Sequence, residues 1–327
     1  MRLILKLLVG VILALLVVVA AGLLYLNAAF PKVNSAPNLK VEATPERLAR
    51  GKYLFNNLAN CITCHSTRDE SHYGMPIIPG TEGKGGEVFP PEEGVPGTLY
   101  ARNITPYGLG DWTDGEIYRA LTSGVDKHGK ALFPLMPYKN YAQLSKEDIY
   151  SIIAHTRTLP SIKNDVPERK LDFPVNLIVK TMPHDSVQPE KAPLPADGLA
   201  YGKYVITAAS CAECHSPRDG KGVVLPGMDY AGGNNFLLPG GGMIHSVNIT
   251  PDKETGIGGW SKEQFIENIR AGVKSQETVV AHGQFNTVMP RTQFAGLTDN
   301  DLGAIYDYLR SVPAVKNRVD RFTPAKQ

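Results

Sequence analysis

All four cysteines of this chain lie in two short motifs with the pattern Cys-x-x-Cys-His. The motifs are Cys61–His65, with the sequence CITCH, and Cys211–His215, with the sequence CAECH. Two thiols at this spacing can each add to one vinyl group of a single porphyrin, and the adjacent imidazole then lies beneath the iron. The pattern therefore predicts covalent attachment of c-type haem. Because the motif occurs twice, the sequence predicts two covalently bound haem c groups.

The role of each residue in the motifs follows from this chemistry. The predicted thioether residues are Cys61, Cys64, Cys211 and Cys214, and the predicted proximal iron ligands are His65 and His215. Disulfides, a redox dithiol and a zinc site use the same residue types. No thioredoxin-like βαβ pattern surrounds the motifs, however, and each cluster lacks a nearby fourth zinc ligand. Haem attachment is therefore the favoured interpretation, and these three chemistries are the alternatives.

The two motifs belong to an internal repeat that spans most of the chain. Similar tracts recur in the same order at offsets of 145–153 residues. They include the Gly-Lys-Tyr tracts that begin at Gly51 and Gly202, and the Asn-Ile-Thr-Pro tracts that begin at Asn103 and Asn248. The offsets drift by a few residues, as loop insertions require. The repeat predicts two related domains that arose by duplication.

Each repeat has the pattern of a small helical domain, so the expected fold class is all-α. Predicted helices cover residues 47–59, 113–123 and 145–158 in the first repeat, and 196–209, 261–271 and 298–310 in the second. Thr113 and Ser261 are N-cap residue types, and Glu116 and Gln264 follow three residues later as capping-box partners. Three short helices make a small core, and the haem itself supplies much of the apolar surface that each domain buries.

The sixth iron ligand is predicted from its position in the repeat. Four methionines precede a proline, namely Met75, Met136, Met182 and Met289. Of these, Met136 and Met289 occupy equivalent positions, 71 and 74 residues after their histidines and just before the last helix. Methionine opposite histidine is typical of electron-transfer cytochromes c and raises the reduction potential. We therefore predict Met136 and Met289 as the distal ligands. The alternative ligands are His128, His155, His245 and His282.

Residues around the motifs are expected to orient the cofactor. The carbonyl oxygens of Pro79 and Pro226, which open matching Pro-Gly pairs, are predicted to accept a hydrogen bond from the proximal imidazoles. Trp112 and Trp260 either donate an indole N–H to a propionate or pack against the core. The arginines expected to pair with propionates, or to lie solvated at the surface, are Arg68, Arg102 and Arg218.

An uncharged apolar stretch of 20 residues lies at positions 7–26. As a helix at about 1.5 Å per residue it is about 30 Å long, which matches the hydrocarbon core of a bilayer. Arg2 and Lys6 precede it, so the positive-inside rule places the N-terminus in the cytoplasm and the body in the bacterial periplasm. Residues 1–30 are therefore predicted as a retained membrane anchor. The alternative is a cleaved signal peptide, with its cleavage site at residues 27–29.

The charge of the chain limits the class of partner. The 327 residues carry a formal net charge of +2. Two haems add four propionates, which leaves the holoprotein close to neutral. Neither nucleic acid nor an acidic polymer is therefore expected as a partner.

Residues 161–195 are predicted to link the two domains. The stretch contains six prolines and no long helical period. Its apolar run at residues 173–179 is expected to pack against a domain, because a fully flexible linker is more polar.

Several tracts resemble the cytochrome c subunits of membrane-bound bacterial dehydrogenases, which serve gluconate, alcohol and aldehyde dehydrogenases. They are residues 102–106 (RNITP), 110–112 (GDW), 135–138 (LMPY), 171–176 (LDFPVN), 214–218 (CHSPR) and 247–260. The resemblance covers most of residues 45–315. It implies two tandem class I cytochrome c domains, at residues 31–160 and 196–327, after the N-terminal transmembrane helix. Those subunits carry three haem motifs and usually a C-terminal anchor, whereas this chain has two motifs and an N-terminal apolar stretch.

The sequence favours an electron-transfer protein over an enzyme. The expected function is a membrane-anchored dihaem cytochrome c that takes electrons from a dehydrogenase or a quinol-oxidising complex on the periplasmic side. Its acceptor is expected to be a terminal oxidase or a soluble cytochrome. The alternative is a dihaem enzyme, a peroxidase or a thiosulfate-oxidising cytochrome, which needs one iron with an open distal position. A methionine at the distal position of both repeats argues against that alternative.

Overall fold

A computed structural model describes residues 2–220 and 222–325 of the chain, and within these ranges the fold is mainly helical. The α-helices are α1 (Arg2–Ala29), α2 (Pro45–Tyr53), α3 (Cys61–His65), α4 (Pro106–Leu109), α5 (Asp114–Ser123), α6 (Tyr138–Tyr141), α7 (Lys146–Arg157), α8 (Val175–Ile178), α9 (Leu199–Ala208), α10 (Cys211–His215), α11 (Lys262–Ser275), α12 (Arg291–Phe294) and α13 (Asp299–Ser311). A π-helical turn at Leu54–Leu58 extends α2, and 3₁₀ turns lie at Pro91–Glu93, Val179–Thr181 and Pro195–Asp197.

The two repeats arrange their helices in the same order. In the first repeat α2, α3, α5, α6 and α7 follow one another, and α9 to α13 occupy the same places in the second. The six helices predicted from the sequence are confirmed. Thr113 accepts from the N–H of Glu116 at 3.2 Å, and the Glu116 carboxylate accepts from the N–H of Thr113 at 2.7 Å. Ser261 and Gln264 form the equivalent capping box, so α5 and α11 begin where local sequence predicts.

One apolar core runs through both repeats. In the first repeat α2 packs against α7, and in the second α9 packs against α13. The core includes Leu54 and Ile149 from the first repeat and Ile206 and Leu302 from the second, all almost inaccessible to solvent. Because these side chains belong to one continuous cluster, the two repeats are joined by apolar packing as well as by the chain.

Two small antiparallel sheets accompany the helices and were not expected from the sequence. Their strands are β1 (Val88–Phe89), β2 (Gly97–Tyr100), β3 (Lys170–Leu171), β4 (Asn235–Leu237), β5 (Met243–His245) and β6 (Phe322–Thr323). The strand orders are β1-β2-β3 and β4-β5-β6. Each sheet joins the loop after a haem motif to the segment that follows the last helix of the same repeat.

The segment at residues 161–195 follows the surface of the first repeat. Gln188 is buried, donates its amide N–H to the carbonyl of Ala142 at 3.3 Å and accepts from the hydroxyl of Tyr118. The apolar run at residues 173–179 packs only in part, because Val179 is buried whereas Phe173 is 76% exposed. The expectation that the whole run packs against a domain is therefore too broad.

The N-terminal helix α1 stands apart from the apolar core. Among the described residues it is the helix long and apolar enough to cross a membrane, by length and composition, and none of its residues is buried. The chain after α1 contacts the first repeat, where the N–H of Val41 donates to Asp114 Oδ2 at 2.8 Å. A further bond joins the N–H of Asn34 to Asp185 Oδ1 at 3.0 Å. These contacts fix where the chain leaves α1 relative to the first repeat.

Candidate haem-binding sites

The two Cys-x-x-Cys-His motifs form the single helical turns α3 and α10. Each turn follows a residue with left-handed backbone, Asn60 at φ 53° and Ser210 at φ 55°. A left-handed residue ends the preceding helix and turns the chain sharply. Residues three apart lie on one face of a helical turn, so Cys61 and Cys64 share a face, as do their counterparts in α10. All four cysteines lie in the described part of the chain, and none of them forms a disulfide there.

Both motif histidines are oriented by a backbone carbonyl. His65 Nδ1 lies 2.7 Å from the carbonyl oxygen of Arg102, and His215 Nδ1 lies 2.7 Å from that of Val247. A carbonyl oxygen can only accept, so each Nδ1 carries the proton and each Nε2 keeps its lone pair. Within residues 2–220 and 222–325 neither Nε2 has a hydrogen-bond partner. The imidazoles are therefore prepared to bind a metal through Nε2.

The prediction that the carbonyls of Pro79 and Pro226 orient these imidazoles is wrong. Both prolines are exposed at the surface, in turns where Gly80 and Gly227 have left-handed backbone. The acceptor in each repeat is instead the residue just before the Asn-Ile-Thr-Pro tract. The recurrence of that tract is the sequence signal that identifies the acceptor.

The asparagine of each Asn-Ile-Thr-Pro tract holds the acceptor carbonyl in place. Asn103 Oδ1 accepts from the N–H of Thr105 at 3.0 Å, and Asn103 Nδ2 donates to the carbonyl of Ile162 at 2.8 Å. Asn248 makes the equivalent bonds, to Thr250 at 2.9 Å and to the segment after α13 at 2.7 Å. Both asparagines are buried. The tract is thereby fixed to the segment that follows the last helix of its own repeat.

A glycine in each repeat lets the motif approach this tract closely. The N–H of Gly85 donates to the carbonyl of His65 at 2.8 Å, and that of Gly232 donates to His215 at 2.7 Å. Both glycines have left-handed backbone, with φ of 69° and 74°. A Cβ at these positions would lie 2.5 Å and 2.4 Å from a backbone carbon of the acceptor residue. Only glycine therefore fits there without moving the backbone.

Burial sets the protonation of the groups in the motifs. Together with a smaller effect of the neighbouring motif cysteine, it raises the pKa of Cys61 and of Cys211 to about 12. It lowers the pKa of His65 and His215, although the hydrogen bond to the carbonyl acts in the opposite direction. At neutral pH the thiols are protonated and the imidazoles are neutral, which is the form of histidine that binds a metal.

The predicted distal ligands occupy matching loops. Met136 leads into α6 and Met289 into α12. The N–H of Tyr138 donates to the carbonyl of Met136 at 2.8 Å, and the N–H of Arg291 donates to that of Met289 at 2.7 Å. Both methionines are half-buried and contact the main core, as do the first cysteines of the two motifs. The assignment of Met136 and Met289 to iron stays a prediction.

The alternative histidine ligands have other surroundings. His245 uses both ring nitrogens, with Nδ1 2.6 Å from Asn235 Oδ1 and Nε2 2.9 Å from Thr323 Oγ1. His155 lies on α7, with its ring edge against Phe55. The remaining two, His128 and His282, are exposed on loops. The surroundings of His245 and His155 therefore favour structural roles for these two histidines.

The arginines named as propionate partners are already bonded to protein groups. The two tryptophans named with these arginines differ in their surroundings: Trp112 contacts the main core, whereas Trp260 is 38% exposed. The arginine contacts are Arg68 with Glu87, Arg102 with the carbonyls of Val166 and Pro167, and Arg218 with Glu213. Pairing of these arginines with propionates thus competes with an existing contact.

Two residues just after the Met-Pro dipeptides were missed by the sequence reasoning. Tyr138 is fully buried, and its hydroxyl has no hydrogen-bond partner among the described residues. Arg291, at the equivalent position of the second repeat, has a buried Nε that also lacks a partner there. Buried donors without partners are rare because they are costly. Each of these two donors is therefore a candidate partner for an acceptor group of a cofactor, such as a carboxylate.

The donor set of each motif fits a c-type haem. Two thiols on one face of a helical turn match two vinyl groups, and an imidazole with a free Nε2 follows directly. The unpartnered donors of Tyr138 and Arg291 match groups of a cofactor that carries carboxylates. Taken together, the thiols and the imidazole of each motif define a c-type cytochrome site rather than a dithiol or zinc site.

Comparison with known proteins agrees with this class. Residues 199–313 match the family model Cytochrome c. The "Diheme cytochrome c-type" of Cereibacter sphaeroides is 30% identical over 316 residues, which cover 93% of this chain and 97% of that relative. The chain belongs to the cytochrome c family, and this membership supports haem c as its cofactor and electron transfer as its role.

The predicted resemblance to dehydrogenase subunits is confirmed. The cytochrome c subunit of alcohol dehydrogenase (quinone) from Gluconobacter oxydans is 29% identical over 289 residues, 84% of this chain and 56% of that subunit. The gluconate 2-dehydrogenase cytochrome c subunit of Pantoea cypripedii is 28% identical over 294 residues, 84% of this chain and 61% of that subunit. The chain therefore spans less than two thirds of the length of these relatives.

Proposed function

We propose that this chain is a membrane-anchored dihaem cytochrome c that carries electrons on the periplasmic side of a bacterial cytoplasmic membrane. The observation that carries the proposal is made in both repeats. A Cys-x-x-Cys-His turn is paired with a backbone carbonyl, of Arg102 or Val247, that orients the imidazole. Electrons enter from a dehydrogenase or a quinol-oxidising complex and leave to a terminal oxidase or a soluble cytochrome.

In this proposal each repeat is a class I cytochrome c domain with one haem. The first domain covers residues 31–160, the linker 161–195 and the second domain 196–327. The attachment residues would be Cys61, Cys64, Cys211 and Cys214, and the iron ligands would be His65 with Met136 and His215 with Met289. With both distal positions taken by methionine, no position would remain open for a substrate.

The protein groups tune a redox couple that the cofactor supplies. Bound haem c supplies a one-electron iron couple. The carbonyls of Arg102 and Val247 make the imidazoles more basic, which favours the oxidised state. The thioethers of Met136 and Met289 favour the reduced state. The apolar core limits water around the site and so lowers the local dielectric constant.

The partners follow from the N-terminal helix and from the names of the relatives. Residues 1–30 act as a retained anchor, with Arg2 and Lys6 on the cytoplasmic side. Several relatives are named as cytochrome c subunits of alcohol, fructose and gluconate dehydrogenases. A dehydrogenase is therefore the electron donor that these relatives favour for this chain.

The anchor is tested with intact cells that express the full-length chain. We expect the protein to stay in the membrane fraction after an alkaline carbonate wash, because about 20 apolar residues hold a helix in the bilayer. Protease added to spheroplasts is expected to digest the haem-bearing body. Release by carbonate, or protection from protease until the cells are lysed, contradicts the proposed anchor or its orientation.

The carrier function is tested with purified full-length holoprotein. We expect both haems to be low-spin in both oxidation states and to cycle reversibly between them. Neither ferrous haem is expected to bind carbon monoxide and neither ferric haem to bind cyanide readily, because methionine closes the sixth position. A high-spin iron that turns over peroxide or thiosulfate contradicts the carrier function and favours the dihaem enzyme.

Replacing Tyr138 by phenylalanine tests whether its buried hydroxyl binds the cofactor. If the hydroxyl donates to a propionate, its loss leaves that negative charge less compensated and favours the oxidised iron. We expect the potential of the first haem to fall by roughly 20–60 mV, the one-electron equivalent of a hydrogen bond of about 0.5–1.5 kcal/mol. Spectroelectrochemical titration measures the shift.

The control for this variant is Tyr118→Phe, which removes a hydroxyl bonded to Gln188 of the linker. It should leave both potentials unchanged. If Tyr138→Phe raises the melting temperature and moves neither potential, the hydroxyl has no partner in the holoprotein and the assignment is wrong.

A further inference from the structure

Two tyrosines at equivalent positions of the repeat reach across the boundary between the repeats. Tyr53 ends α2 and Tyr204 lies in α9, and each closes a Gly-Lys-Tyr tract. Each hydroxyl lies at the N-terminus of the last helix of the other repeat. We refer to these as the reciprocal tyrosine contacts.

The contact of Tyr204 is made at the start of α7. Its hydroxyl donates to Asp148 Oδ2 at 2.7 Å and accepts from the N–H of Ser145 at 3.0 Å. Ser145 is the N-cap residue of α7. The Asp148 carboxylate is buried and also accepts two bonds from Arg50, each at 2.8 Å. The tyrosine thus completes the hydrogen bonding of a buried carboxylate in the other repeat.

The contact of Tyr53 repeats this arrangement at the start of α13. Its hydroxyl donates to the carboxylate of Asp301 and accepts from the N–H of Thr298 at 3.2 Å. Thr298 is the N-cap residue of α13, and Asp301 is 3% exposed. Tyr201 donates a second bond to Asp301. The two contacts therefore have the same chemistry. In each of them, a tyrosine of one repeat bonds the N-terminus of the last helix of the other repeat.

A second pair of reciprocal bonds lies next to the haem motifs. Asn140 Nδ2 donates to Ser210 Oγ at 3.0 Å, and Asn57 Nδ2 donates to the carbonyl of Gln293 at 2.7 Å. Asn140 and Gln293 each lie four residues after the methionine of their own repeat. Ser210 directly precedes the second motif, and Asn57 lies four residues before the first. The methionine loop of each repeat is thus bonded to the approach to the other motif.

A further bond reaches the second motif itself. Asn140 of the first repeat also donates to Glu213 Oε1, at 3.4 Å, and Glu213 lies between the two cysteines of that motif. The methionine loop of the first repeat is therefore bonded both to the approach to the second motif and to the motif itself.

We propose that Tyr53 and Tyr204 are positioning residues for electron transfer between the two haems. The reciprocal tyrosine contacts fix the separation of the motifs, so that electrons pass between the haems inside one rigid unit without movement of the domains. This inference rests on the proposed two-haem electron-transfer function. It goes beyond that function because it assigns the geometry of transfer to named residues outside the haem sites.

The test uses full-length holoprotein with the double substitution Tyr53→Phe and Tyr204→Phe. The rings and their packing are kept, and only the two hydroxyls are lost. Electron equilibration between the haems is followed after partial photoreduction by a laser flash. We expect the rate to fall by about tenfold, because loss of both hydroxyls leaves the motifs less closely held and transfer slows as the haems separate. The magnetic interaction between the two ferric haems should weaken in parallel.

The matched control is the double substitution Tyr118→Phe and Tyr306→Phe. Tyr306 bonds the carbonyl of Trp260 within its own repeat at 2.6 Å, and Tyr118 bonds the linker. These hydroxyls do not join the two repeats, so equal loss of stability should leave the rate unchanged. The single variants Tyr53→Phe and Tyr204→Phe provide the test if the double variant does not fold.

The failures of the two proposals are distinguishable. Haem content and reversible reduction are measured first, and a chain with fewer than two cycling haems contradicts the proposed function itself. If both haems cycle but the rate and the magnetic interaction match the wild type, the positioning role of the tyrosines is wrong. If the control variant slows electron transfer to the same extent, the positioning role is also wrong, because the slower rate then reflects lost stability alone.

Discussion

Replacing Cys61 and Cys64 by serine is expected to halve the haem content of the chain. Serine cannot form the thioether bonds, so the first site loses covalent attachment while the second keeps it. The pyridine haemochrome absorbance per chain should fall from two haems to one. The intact mass measured by mass spectrometry should fall by about one haem. The first repeat should also lose stability, since a small cytochrome domain depends on haem for part of its buried apolar surface.

The matched variant replaces Cys211 and Cys214 by serine and should give the same haem content from the other site. A chain with all four substitutions should carry none. Comparison of the two single-site variants then assigns each spectrum and potential to its repeat. A wild-type chain that holds one haem, or a variant without Cys61 and Cys64 that still holds two, contradicts the two-site proposal.

The proposed attachment residues could be predicted from the sequence because the chemistry of haem attachment fixes residue type and spacing. Only cysteine forms the thioether, and only a short gap brings two sulfurs to one porphyrin. The groups that orient the histidines could not be predicted in the same way. Arg102 and Val247 act through backbone carbonyls, which every residue has, so neither side chain identifies the role. Their position before the recurring Asn-Ile-Thr-Pro tract was the available signal.

The helices were predictable because their signals are local. Thr113 and Glu116 are three residues apart, and that spacing is enough to mark the start of α5. The contacts between the repeats have no such signal. Tyr204 and Asp148 are 56 residues apart in sequence, and Tyr53 and Asp301 are 248 apart. Pairings over these separations depend on how two folded repeats pack, which residue type and short-range spacing do not encode.

Strands of two to four residues escaped prediction for a related reason. A period of two cannot be recognised over so few residues, and β3 lies in a segment whose prolines indicated a linker. Tyr138 could not be identified from the local sequence either. Its hydroxyl is recognised as unpartnered only when its surroundings are known.

Replacing Met136 by leucine is expected to change the spectrum and the potential of the first haem while leaving it attached. Leucine has a similar volume, so the loop into α6 should keep its packing while the sulfur is lost. The iron then loses its predicted sixth ligand. Its potential should fall by on the order of a hundred millivolts or more, a fraction of the about 0.8 V over which axial ligands tune haem. The methionine–iron absorption band of that haem should disappear, and carbon monoxide should bind to its ferrous form.

The Met289→Leu variant should produce the same changes at the second haem and leave the first unaffected. Met75→Leu and Met182→Leu are the matched controls, because both methionines precede proline but do not occupy the distal position of the repeat. If Met136→Leu keeps the spectrum and potential of the wild type while His128→Leu alters them, histidine ligates the first iron. The site is then bis-histidine, with a low potential that suits a different donor, so the ligand of each iron determines which partners the chain can serve.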